Sequence, residues 1–326
     1  MKNIKTLFIS GITGGLSQLI VNYISNNYKG YQIRGVARNC ASLQDKTFDG
    51  ITLKWEELDL SKTSNIEPLS QLIKGCDAVI HTAAMKNVVE CYNTPLGAID
   101  SNILATENLI EAASRAGVKK FVNISSDMAV QPLGVYGATK LIQAALVSRA
   151  TELGRIEGCN VRLGNIFTKG SSSIIHFFHK CNKESGKLNL THPQMSRFGM
   201  RDVDLGEAIL SIVNSFRGGE TFIPKMKSYD ILTIVEAVAP NAETSVVGMR
   251  EGEKQFEIMV SENESDKTYE NDKFYIIKPK EVDETEFKQQ YNATICTSGF
   301  SLTSRNNPER FSVAEIKDLM NYLGLE

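Results

Sequence analysis

Tyr136 and Lys140 stand four positions apart in the segment VYGATK, a spacing that puts both side chains on one face of a helix. A free tyrosine, whose pKa is about 10, is a poor base at neutral pH. A neighbouring ammonium group stabilises the phenolate and lowers that pKa, so the tyrosinate can accept a hydroxyl proton while hydride leaves the same carbon. The pair therefore predicts a hydride-transfer site. Ser125 or Ser126, at the end of the preceding predicted strand, is expected to hold the reacting oxygen.

The segment SGITGGLS, residues 10–17, has the composition of a phosphate-binding turn. Gly11 and Gly14 supply the first two glycines of a G-x-x-G-x-x-G pattern, whereas Ser17 stands at the third position. Glycines between a first strand and its following helix let the backbone approach a pyrophosphate, which the helix N-terminus then stabilises. We therefore predict dinucleotide contacts from five residues of this turn: Gly11, Thr13, Gly14, Gly15 and Leu16.

The end of the second predicted strand reads Ala37-Arg38-Asn39 and contains no acid. An aspartate or glutamate at this point would accept a hydrogen bond from the ribose 2′-hydroxyl of NAD and repel a 2′-phosphate. Arg38 can instead stack on adenine and pair with a 2′-phosphate, which favours NADP; a solvated surface arginine is the alternative. Asp59 and Leu60, just past the third predicted strand, are expected at the adenine edge.

Short β-rich runs alternate with helical patterns through the first half of the chain. We predict strands at 5–11, 31–37, 51–58, 76–84, 119–126 and 158–166, and helices at 15–27, 98–117 and 136–154. This alternation is typical of an α/β fold with a doubly wound parallel sheet of the Rossmann type, covered by helices on both faces. We expect residues 1–166 to form the dinucleotide-binding core.

The regular alternation of strands and helices ends after residue 166. Helices are predicted at about 203–216, 229–238 and 312–323, with strands within GETFIPK and KFYIIKP. The stretch 186–200 is polar and is expected to be irregular, and the polar stretch 261–273 is expected to be an exposed loop. We interpret residues 167–326 mainly as a smaller α/β substrate-binding region over the carboxyl edge of the sheet, with some segments returning to the core.

Composition limits the function classes. The chain has 326 residues, of which 42% are hydrophobic and 23% charged, with a formal net charge of −2. This near-neutral balance argues against nucleic-acid binding. No apolar run reaches the length of a membrane span, and the start MKNIKTLFISG leads directly into a predicted strand rather than resembling a signal peptide. We therefore expect a cytoplasmic protein without a membrane partner.

The cysteine and histidine patterns give no support for a metal site. Six cysteines are scattered without a C-x-x-C pair, so we interpret them as reduced thiols. His176 and His179 have a spacing that could face a metal, but they have no acidic or cysteine companion nearby. A structural role is the better interpretation of this pair.

Several segments outside the general nucleotide-binding pattern carry a more specific resemblance. They include DAVIHTAAMKNV, VKKFVNISSD, VYGATK, VRLGNIF, PQMSRFGM, GGETFIPK, MREGEKQFE and NNPERFSVAEIKDLM. Through them nearly the whole chain resembles an extended short-chain dehydrogenase/reductase, and within that superfamily the inverting UDP-N-acetylglucosamine 4,6-dehydratases. The resemblance also places Ala83 and Ala84 of the first segment beside the cofactor.

The resemblance implies an internal redox cycle on a UDP-N-acetylhexosamine. Tyr136 would deprotonate O4 while C4 gives hydride to NADP⁺, producing a 4-keto sugar. The ketone acidifies the C5 proton, water leaves from C6, and the hydride returns to C6. Inverting members of the family then protonate C5 on the opposite face, and the cycle consumes no net cofactor.

Asp127 matches the acid that protonates the leaving C6 hydroxyl in this family; a capping role at the strand end is its alternative. The next residue in the family is a lysine, taken as the base for the C5 proton, but this chain has Met128. Methionine has no exchangeable proton. Lys86 in AAMKNV matches another family lysine and is a possible substitute, or the proton leaves through Tyr136 or water. A further alternative is a 4-epimerase or reductase without dehydration.

The resemblance also implies a grip on the nucleotide-sugar diphosphate. MREGEK resembles an R-P-G-E-K segment, so Arg250 and Glu253 become substrate-binding candidates, although Glu251 replaces the family's proline. Asn165 and Arg197 are further candidates, and Lys86 and Met128 are expected to line the same cleft. The resemblance implies at least a homodimer, packed through the helices at 98–117 and 136–154. A cofactor-binding member without turnover is the non-enzyme alternative.

Overall fold

A computed structural model describes residues 4–44, 46–170 and 173–325 of the chain. Its strands are β1 (Thr6–Ser10), β2 (Tyr31–Ala37), β3 (Ile51–Glu57), β4 (Ala78–His81), β5 (Lys120–Ser126), β6 (Glu157–Leu163), β7 (Asn165–Phe167), β8 (Lys187–Leu190), β9 (Ser196–Arg201), β10 (Thr221–Pro224), β11 (Lys227–Asp230), β12 (Glu243–Val246), β13 (Ile258–Val260), β14 (Thr268–Glu270), β15 (Phe274–Ile277), β16 (Thr294–Ile295) and β17 (Leu302–Thr303). Its helices are α1 (Gly15–Asn27), α2 (Ile66–Ile73), α3 (Val88–Asn93), α4 (Pro95–Ile99), α5 (Ala105–Arg115), α6 (Val135–Glu152), α7 (Ile174–Ser185), α8 (Asp202–Ser215), α9 (Ile231–Val238), α10 (Glu284–Tyr291) and α11 (Val313–Leu323).

The main sheet of the described chain has ten strands in the order β16-β14-β15-β10-β6-β5-β4-β1-β2-β3. The seven strands from β10 to β3 run parallel, whereas β15, β14 and β16 continue the sheet in antiparallel pairs. The change of direction in strand order, from β1 towards β4 on one side and β2 on the other, creates the crevice where open α/β sheets bind ligands. The predicted doubly wound α/β fold is confirmed.

Both faces of the sheet are buried, which explains why its central strands read as continuous apolar runs. In β1, Leu7 and Ile9 pack into one core cluster while Phe8 packs into another on the opposite face. A third cluster joins α9 and α11 through Ile234 and Ile316 in the second half of the chain. The core therefore lies on both sides of the strands that carry the candidate site at their carboxyl ends.

The predicted helix at 98–117 is not one regular helix. It consists of α4, a π-helical turn at Asp100–Leu104, and α5. Asn102, in the widened turn, is fully buried; its Oδ1 accepts a hydrogen bond from the Met85 amide at 2.7 Å, and its Nδ2 donates to Thr139 Oγ1 at 2.9 Å. The buried amide thus joins the loop after β4 to α6, and π turns of this kind often occur beside functional sites.

Two predictions in the second half are wrong. The stretch 186–200 contains β8 and β9, in which Leu188 and Leu190 alternate as buried residues with polar neighbours. The stretch 261–273 is not an exposed loop, because it contains a 3₁₀ turn at Glu262–Lys267 followed by β14 of the main sheet. Tyr269 of β14 is buried, so this stretch contains a core strand even though the residues that flank it are polar.

The predicted strand at 158–166 divides into β6 and β7. Gly164 separates them, and a Cβ at this position would lie 2.8 Å from Cβ of Phe198. After this glycine the chain leaves the main sheet, and β7 pairs in parallel with β9 of a small three-stranded sheet. The division matters because Asn165 stands at the point where the two sheets separate.

The structure records all six cysteines as free thiols. Within the ranges that the structure describes, no group of three or more His, Cys, Asp or Glu side chains is arranged to hold a metal ion. None of the helices in those ranges is both long and apolar enough to cross a membrane.

Candidate active site

The glycine turn between β1 and α1 forms a cradle that a larger residue would fill. Gly11 has a φ of +64°, and a Cβ added there would lie 2.8 Å from Cα of Ala83. The Gly14 amide donates to the Gly11 carbonyl at 2.8 Å, and Gly14 caps α1 without a side-chain hydrogen bond. Gly15 is exposed beside it, while Thr13 and Leu16 are half-buried. The helix N-terminus is therefore open to an anion.

Ser17, which replaces the third glycine, is accommodated by hydrogen bonding. Its side chain is fully buried, and its Oγ donates to the Gly11 carbonyl at 2.7 Å. It also lies within hydrogen-bond distance of Thr82 Oγ1, so the hydroxyl joins the first turn of α1 to the loop after β4. The departure from the glycine pattern therefore preserves the turn.

Arg38 and Asp59 lie next to each other at the carboxyl ends of β2 and β3. Asp59 Oδ1 accepts hydrogen bonds from the Ser61 amide at 3.0 Å and the Ser61 hydroxyl at 2.8 Å. Burial raises the pKa of Asp59, but these hydrogen bonds and the charges of Lys62 and Arg38 outweigh it, so the pKa lies below its usual value. Arg38 is exposed and Leu60 is buried. The edge thus presents a guanidinium beside an ionised carboxylate.

Tyr136 and Lys140 both lie in α6, which begins directly after the loop that follows β5. Lys140 is buried, and its Nζ donates to the Ile124 carbonyl at 2.5 Å and to Gln143 Oε1. Burial lowers the pKa of Lys140 to about 7. Burial also raises the pKa of Tyr136 above its ordinary value, and the Asp127 charge adds to this, while hydrogen bonding with Ser126 opposes it. Tyr136 is therefore a protonated phenol here, and it needs cationic neighbours to act as a base.

The hydroxyl groups of Ser125 and Ser126 differ in their hydrogen bonding. Ser125 is buried at the end of β5, and its Oγ has no hydrogen-bond partner among the residues that the structure describes. Ser126 Oγ donates to Asp127 Oδ1 at 2.7 Å and accepts from the Met128 amide at 3.2 Å. A buried hydroxyl without a partner costs free energy, which a bound ligand would recover. Together with the cradle at Gly11, this orphaned hydroxyl fits a dinucleotide lying across the carboxyl ends of the strands.

Asp127 lies in a buried cluster of charges. Burial and the charge of Glu257 raise the pKa of Asp127 to about 7, against the effects of Ser126, Arg197 and the Met128 amide. Glu257 is 3% exposed; its Oε1 lies 3.6 Å from Arg197 Nε and its Oε2 3.6 Å from Lys254 Nζ. Because burial, with the charge of Glu257, disfavours its ionisation, Asp127 is partly protonated near neutral pH and can act as an acid.

Met128 and Lys86 occupy different environments. Met128 is half-buried next to Asp127, and its carbonyl approaches α6 so closely that a Cβ at Gly137 would lie 2.3 Å from it. Lys86 is exposed in the loop between β4 and α3, and Ala83 and Ala84 precede it as half-buried residues. The structure thus places a thioether, and not an ammonium group, directly after the candidate acid.

Among the substrate-binding candidates, Arg197 is bonded to other protein groups, whereas Arg250 is exposed to solvent. The guanidinium of Arg197 donates to the Ser196 carbonyl at 2.8 Å and the Lys254 carbonyl at 2.9 Å, and lies 3.7 Å from Glu253 Oε1. Arg197 is therefore held by internal partners in this conformation. Arg250 is exposed, and its amide donates to Glu253 Oε2 at 3.1 Å. Its guanidinium is the more accessible of the two for a diphosphate.

Asn165 lies on the same side of the sheet as this cluster. It is exposed, and its Nδ2 donates to the hydroxyl of Tyr229 at 2.8 Å. Burial raises the pKa of Tyr229 to about 12, although Arg197 and Asn165 act in the opposite direction. The roles assigned to Asn165, Arg197, Arg250 and the other site residues stay predictions, since no ligand contact tests them.

Four residues of the site escaped sequence reasoning. They are His81, Gln143, Lys254 and Glu257, all of which are buried. Lys254 and Glu257 belong to the segment MREGEKQFE. The lysine and the glutamate stand three positions apart in this distinctive stretch, and that spacing could have identified them as site residues. His81 ends β4, and Gln143 follows Lys140 by one helical turn.

The chain is similar to several known proteins over nearly its whole length. The model of the polysaccharide biosynthesis protein family matches residues 7–279. The chain is 33% identical over 334 residues to the UDP-N-acetylglucosamine 4,6-dehydratase (inverting) of Campylobacter jejuni subsp. jejuni serotype O:23/36, with 99% of each chain covered. It is 28% identical over 330 residues to the UDP-glucose 4-epimerase of Rickettsia felis, covering 97% of this chain and 95% of the relative.

Solved structures agree with the sequence comparison. The X-ray structure of Pen from Bacillus thuringiensis matches with a TM-score of 0.84 and 27% identity, covering 100% of both chains. Other solved structures that share the fold contain bound NAD. The resemblance seen in the sequence is thus confirmed by a family match and by full-length relatives. The chain belongs to the polysaccharide biosynthesis protein family, as an enzyme of the extended short-chain dehydrogenase/reductase superfamily in the class of nucleotide-sugar dehydratases and epimerases.

Proposed function

We propose that the protein is an NADP-dependent 4,6-dehydratase that acts on a UDP-N-acetylhexosamine through a 4-keto intermediate. The observation that carries the proposal is Asp127, a buried carboxyl group in the loop between β5 and the helix of Tyr136 and Lys140; burial, with the charge of Glu257, raises its pKa to about 7. Dehydration needs an acid to protonate the leaving C6 hydroxyl, in addition to a base at O4. A 4-epimerase needs only the base.

We assign a separate catalytic role to each residue of the site. NADP, when bound, supplies the hydride acceptor and later returns the hydride. Tyr136 takes the proton from O4; because burial and the Asp127 charge raise its pKa, it needs a cation beside it, and the Lys140 ammonium group one helical turn away would supply that charge. Asp127 donates its proton to the C6 hydroxyl as water leaves, and Ser126, which hydrogen-bonds Asp127 at 2.7 Å, holds that carboxyl group in place.

Cofactor choice rests on Arg38. The guanidinium is exposed at the end of β2, where a 2′-phosphate would lie, and the nearby Asp59 accepts hydrogen bonds from its own loop. Gly11, Thr13, Gly14, Gly15 and Leu16 would hold the pyrophosphate, with Ala83 and Ala84 beside it. Arg250 and Glu253, with Asn165, would hold the UDP part of the substrate.

Met128 supports a second candidate, a UDP-sugar 4-epimerase. In this chain a thioether stands where the family has the lysine that takes the C5 proton. A thioether cannot accept that proton, so this position supplies no base. If no other group takes the proton, the keto sugar would be reduced again at C4 without dehydration. If Lys86, Tyr136 or water takes it, dehydration proceeds, and the stereochemistry at C5 follows from the face on which that group lies.

We also propose a homo-oligomer, at least a dimer. Large apolar side chains are exposed on α3, α4, the π-helical turn and α6, among them Tyr92, Leu96, Leu104, Leu141 and Ile142. Exposed large apolar side chains concentrated on neighbouring helices are typical of a protein interface. Sedimentation of the unmodified protein and of Leu96→Glu tests the assignment; a monomer in the unmodified protein would contradict it. The cytoplasmic location stays a prediction.

The test of function is incubation with UDP-N-acetylglucosamine in heavy water, followed by proton NMR and mass spectrometry. We expect a product that has lost water, with a 6-deoxy methyl signal and deuterium at C5. A C4 epimer of unchanged mass would support the epimerase instead. Binding of NADP and the UDP-sugar without product or exchange would contradict both enzymatic assignments for this substrate.

A further inference from the structure

A chain of buried polar groups lies behind Lys140. Gln143 is fully buried one helical turn after Lys140, and its Oε1 accepts a hydrogen bond from Lys140 Nζ. Its Nε2 donates to Thr106 Oγ1 at 2.9 Å and lies 2.9 Å from His81 Nε2. The side chains of His81 and Thr106 are also fully buried. The ammonium group of the candidate site is therefore continuous with a polar network inside the core.

The far end of this network determines which nitrogen of His81 carries its proton. Ser10 Oγ accepts hydrogen bonds from the amides of Thr82 and Ala83, each at 3.1 Å. Because a hydroxyl has two lone pairs, its own proton is then donated to His81 Nδ1, 2.7 Å away. His81 consequently carries its hydrogen on Nε2 and donates it to Thr106 Oγ1 at 2.8 Å.

The same assignment of hydrogen-bond donors and acceptors gives the orientation of the Gln143 amide. Thr106 donates its proton to the Asn102 carbonyl at 2.8 Å, which leaves two lone pairs for His81 Nε2 and Gln143 Nε2. With its nitrogen engaged on this side, Gln143 presents Oε1 to Lys140. The hydrogen bonds that link Ser10, His81, Thr106, Gln143 and Lys140 are thus compatible in one arrangement, in which the 2.9 Å approach of Gln143 Nε2 to His81 Nε2 is a contact between two donors and not a hydrogen bond.

We propose that Gln143 is a positioning residue that holds the Lys140 ammonium group and links it, through Thr106, His81 and Ser10, to the loop at Ala83 that packs on the glycine turn. Two of the three N–H bonds of Lys140 are directed to Gln143 and to the Ile124 carbonyl. The third is left for Tyr136 or a bound ligand. The role in catalysis rests on the proposed function, but the hydrogen bonds do not.

The electrostatics give Gln143 a measurable effect. Burial lowers the pKa of Lys140 to about 7, and burial together with the Lys140 charge lowers the pKa of His81 to about 3. The other titratable groups around this helix turn are Tyr136 and, beyond it, Asp127. His81 is therefore neutral at working pH, and the Gln143 oxygen stabilises the ammonium form of Lys140.

The test replaces Gln143 in two opposite ways and measures the titration of Lys140 directly. The protein is labelled with lysine carrying ¹³C at Cε, and the Lys140 signal is assigned by its absence in Lys140→Met. We expect Gln143→Met, which removes the acceptor at similar length, to lower the pKa of Lys140 by about 1, and Gln143→Glu to raise it by at least about 1. NMR at several pH values without substrate or cofactor reads both shifts.

A buried amide in the same core provides the matched control. Asn160 is 3% exposed on β6, and its Nδ2 contacts α6 at the Ala144 carbonyl, 3.3 Å away, and at Ser148. Asn160→Leu should reduce stability without moving the titration of Lys140. A shift in Asn160→Leu as large as that in Gln143→Met would overturn the proposal, as would unchanged titration in both Gln143 variants. If Gln143→Met does not fold, Gln143→Glu decides alone.

Activity is the second readout and separates this proposal from the proposed function. Where turnover of the UDP-sugar is measurable, the alkaline limb of its pH profile should follow the Lys140 titration, to lower pH in Gln143→Met and higher pH in Gln143→Glu. An unmodified protein without turnover, whose Lys140 titration still responds to Gln143, would contradict the proposed function and leave the positioning role supported.

Discussion

Lys254 Nζ donates a 2.6 Å hydrogen bond to the carbonyl of Val130, which precedes it by 124 positions. The same ammonium group lies 3.6 Å from Glu257 Oε2. Close by, the backbones of Gly134 and Gly252 meet so tightly that a Cβ on Gly134 would lie 3.2 Å from the Gly252 Cα. The segment that follows Arg250 is thus fastened to the loop from which α6 begins, and with it to the position of Tyr136.

Replacing Lys254 by methionine should destabilise the fold by about 3 kcal/mol, because it leaves the buried Glu257 carboxylate without one of its cations. The measurement is the free energy of unfolding in urea. Lys273→Met is the matched control, since Lys273 pairs with Glu207 at a surface where both side chains are about 60% exposed. Such a solvent-exposed pair contributes little to stability. Equal losses in the two variants would contradict the buried role of Lys254.

Tyr136→Phe should abolish C4 oxidation while leaving cofactor affinity nearly unchanged, because only the proton-accepting oxygen is removed. Product formation from UDP-N-acetylglucosamine measures the first effect, and calorimetric titration with NADP measures the second. Tyr28→Phe, at an exposed tyrosine directly after α1, is the control and should retain full activity. Most of the unmodified rate in Tyr136→Phe would remove this tyrosine from the mechanism.

The unmodified protein should bind NADP more tightly than NAD, and Arg38→Ala should reduce that preference by about 1.5–3 kcal/mol, the worth of one charge-assisted contact. Binding of both cofactors is measured for each protein by calorimetry. Arg115→Ala removes a surface arginine that pairs with Glu111 at the end of α5, and should leave the ratio unchanged. Equal affinities for NADP and NAD in the unmodified protein would rule out the assignment of Arg38.

Met128→Lys should accelerate exchange of the C5 proton in the 4-keto intermediate by about 10²-fold, because it supplies the base that this chain lacks. Lysine has nearly the length of methionine, and the neighbouring Asp127 carboxyl group can pair with the new ammonium group. Deuterium incorporation at C5, followed by NMR in heavy water, measures the rate.

Lys86→Ala distinguishes the alternatives for the same step. If Lys86 already takes the C5 proton, this variant stops exchange while Met128→Lys changes little. Fast exchange in the unmodified protein that neither substitution alters would exclude both lysines, and the proton would then leave through Tyr136 or water.

Asp127 should make stability depend on pH in a defined direction. Its pKa is raised from 3.8 to about 7 in the folded protein, first by burial and then by Glu257. Between these values the folded state holds a proton that the unfolded chain has released, so the contribution is fully present below about pH 4 and is lost as pH rises to about 7. Asp127→Asn should remove this decline. Parallel pH profiles of unfolding free energy for the two proteins would contradict the raised pKa.

The first half of the fold could be predicted closely because local pattern and burial agree there. The predicted bounds of β2 and α1 coincide with the structure, since a strand in which buried Tyr31 and Ile33 alternate with polar residues and a helix after a glycine turn are local signals. β14 could not be predicted from its polar flanks, because Tyr269 is buried through the pairing of β14 with β15 and β16 and through packing against Phe287 of α10. Its environment is decided by tertiary contacts.

The candidate site shows the same division. Tyr136 and Lys140 are recognisable because their spacing is itself the signal, whereas Gln143 and His81 acquire a meaning only when β4 and α6 lie side by side. Arg197 shows what only the fold can add: its charge suggests a ligand contact, which stays a prediction, while the fold surrounds its guanidinium with carbonyl groups and the carboxylates of Glu253 and Glu257. Charge alone does not tell a binding arginine from a structural one.

The strand order of the main sheet has a consequence for how the chain folds during synthesis. β6 leaves the ribosome long before its outer neighbour β10, and β15, β14 and β16 follow later still. Until then the nascent chain carries an unpaired edge along Asn160 and Val161, the positions that pair with Thr221 and Phe222. Such an edge invites pairing with other chains. The second half of the protein therefore shields the first half from aggregation, in addition to completing the site.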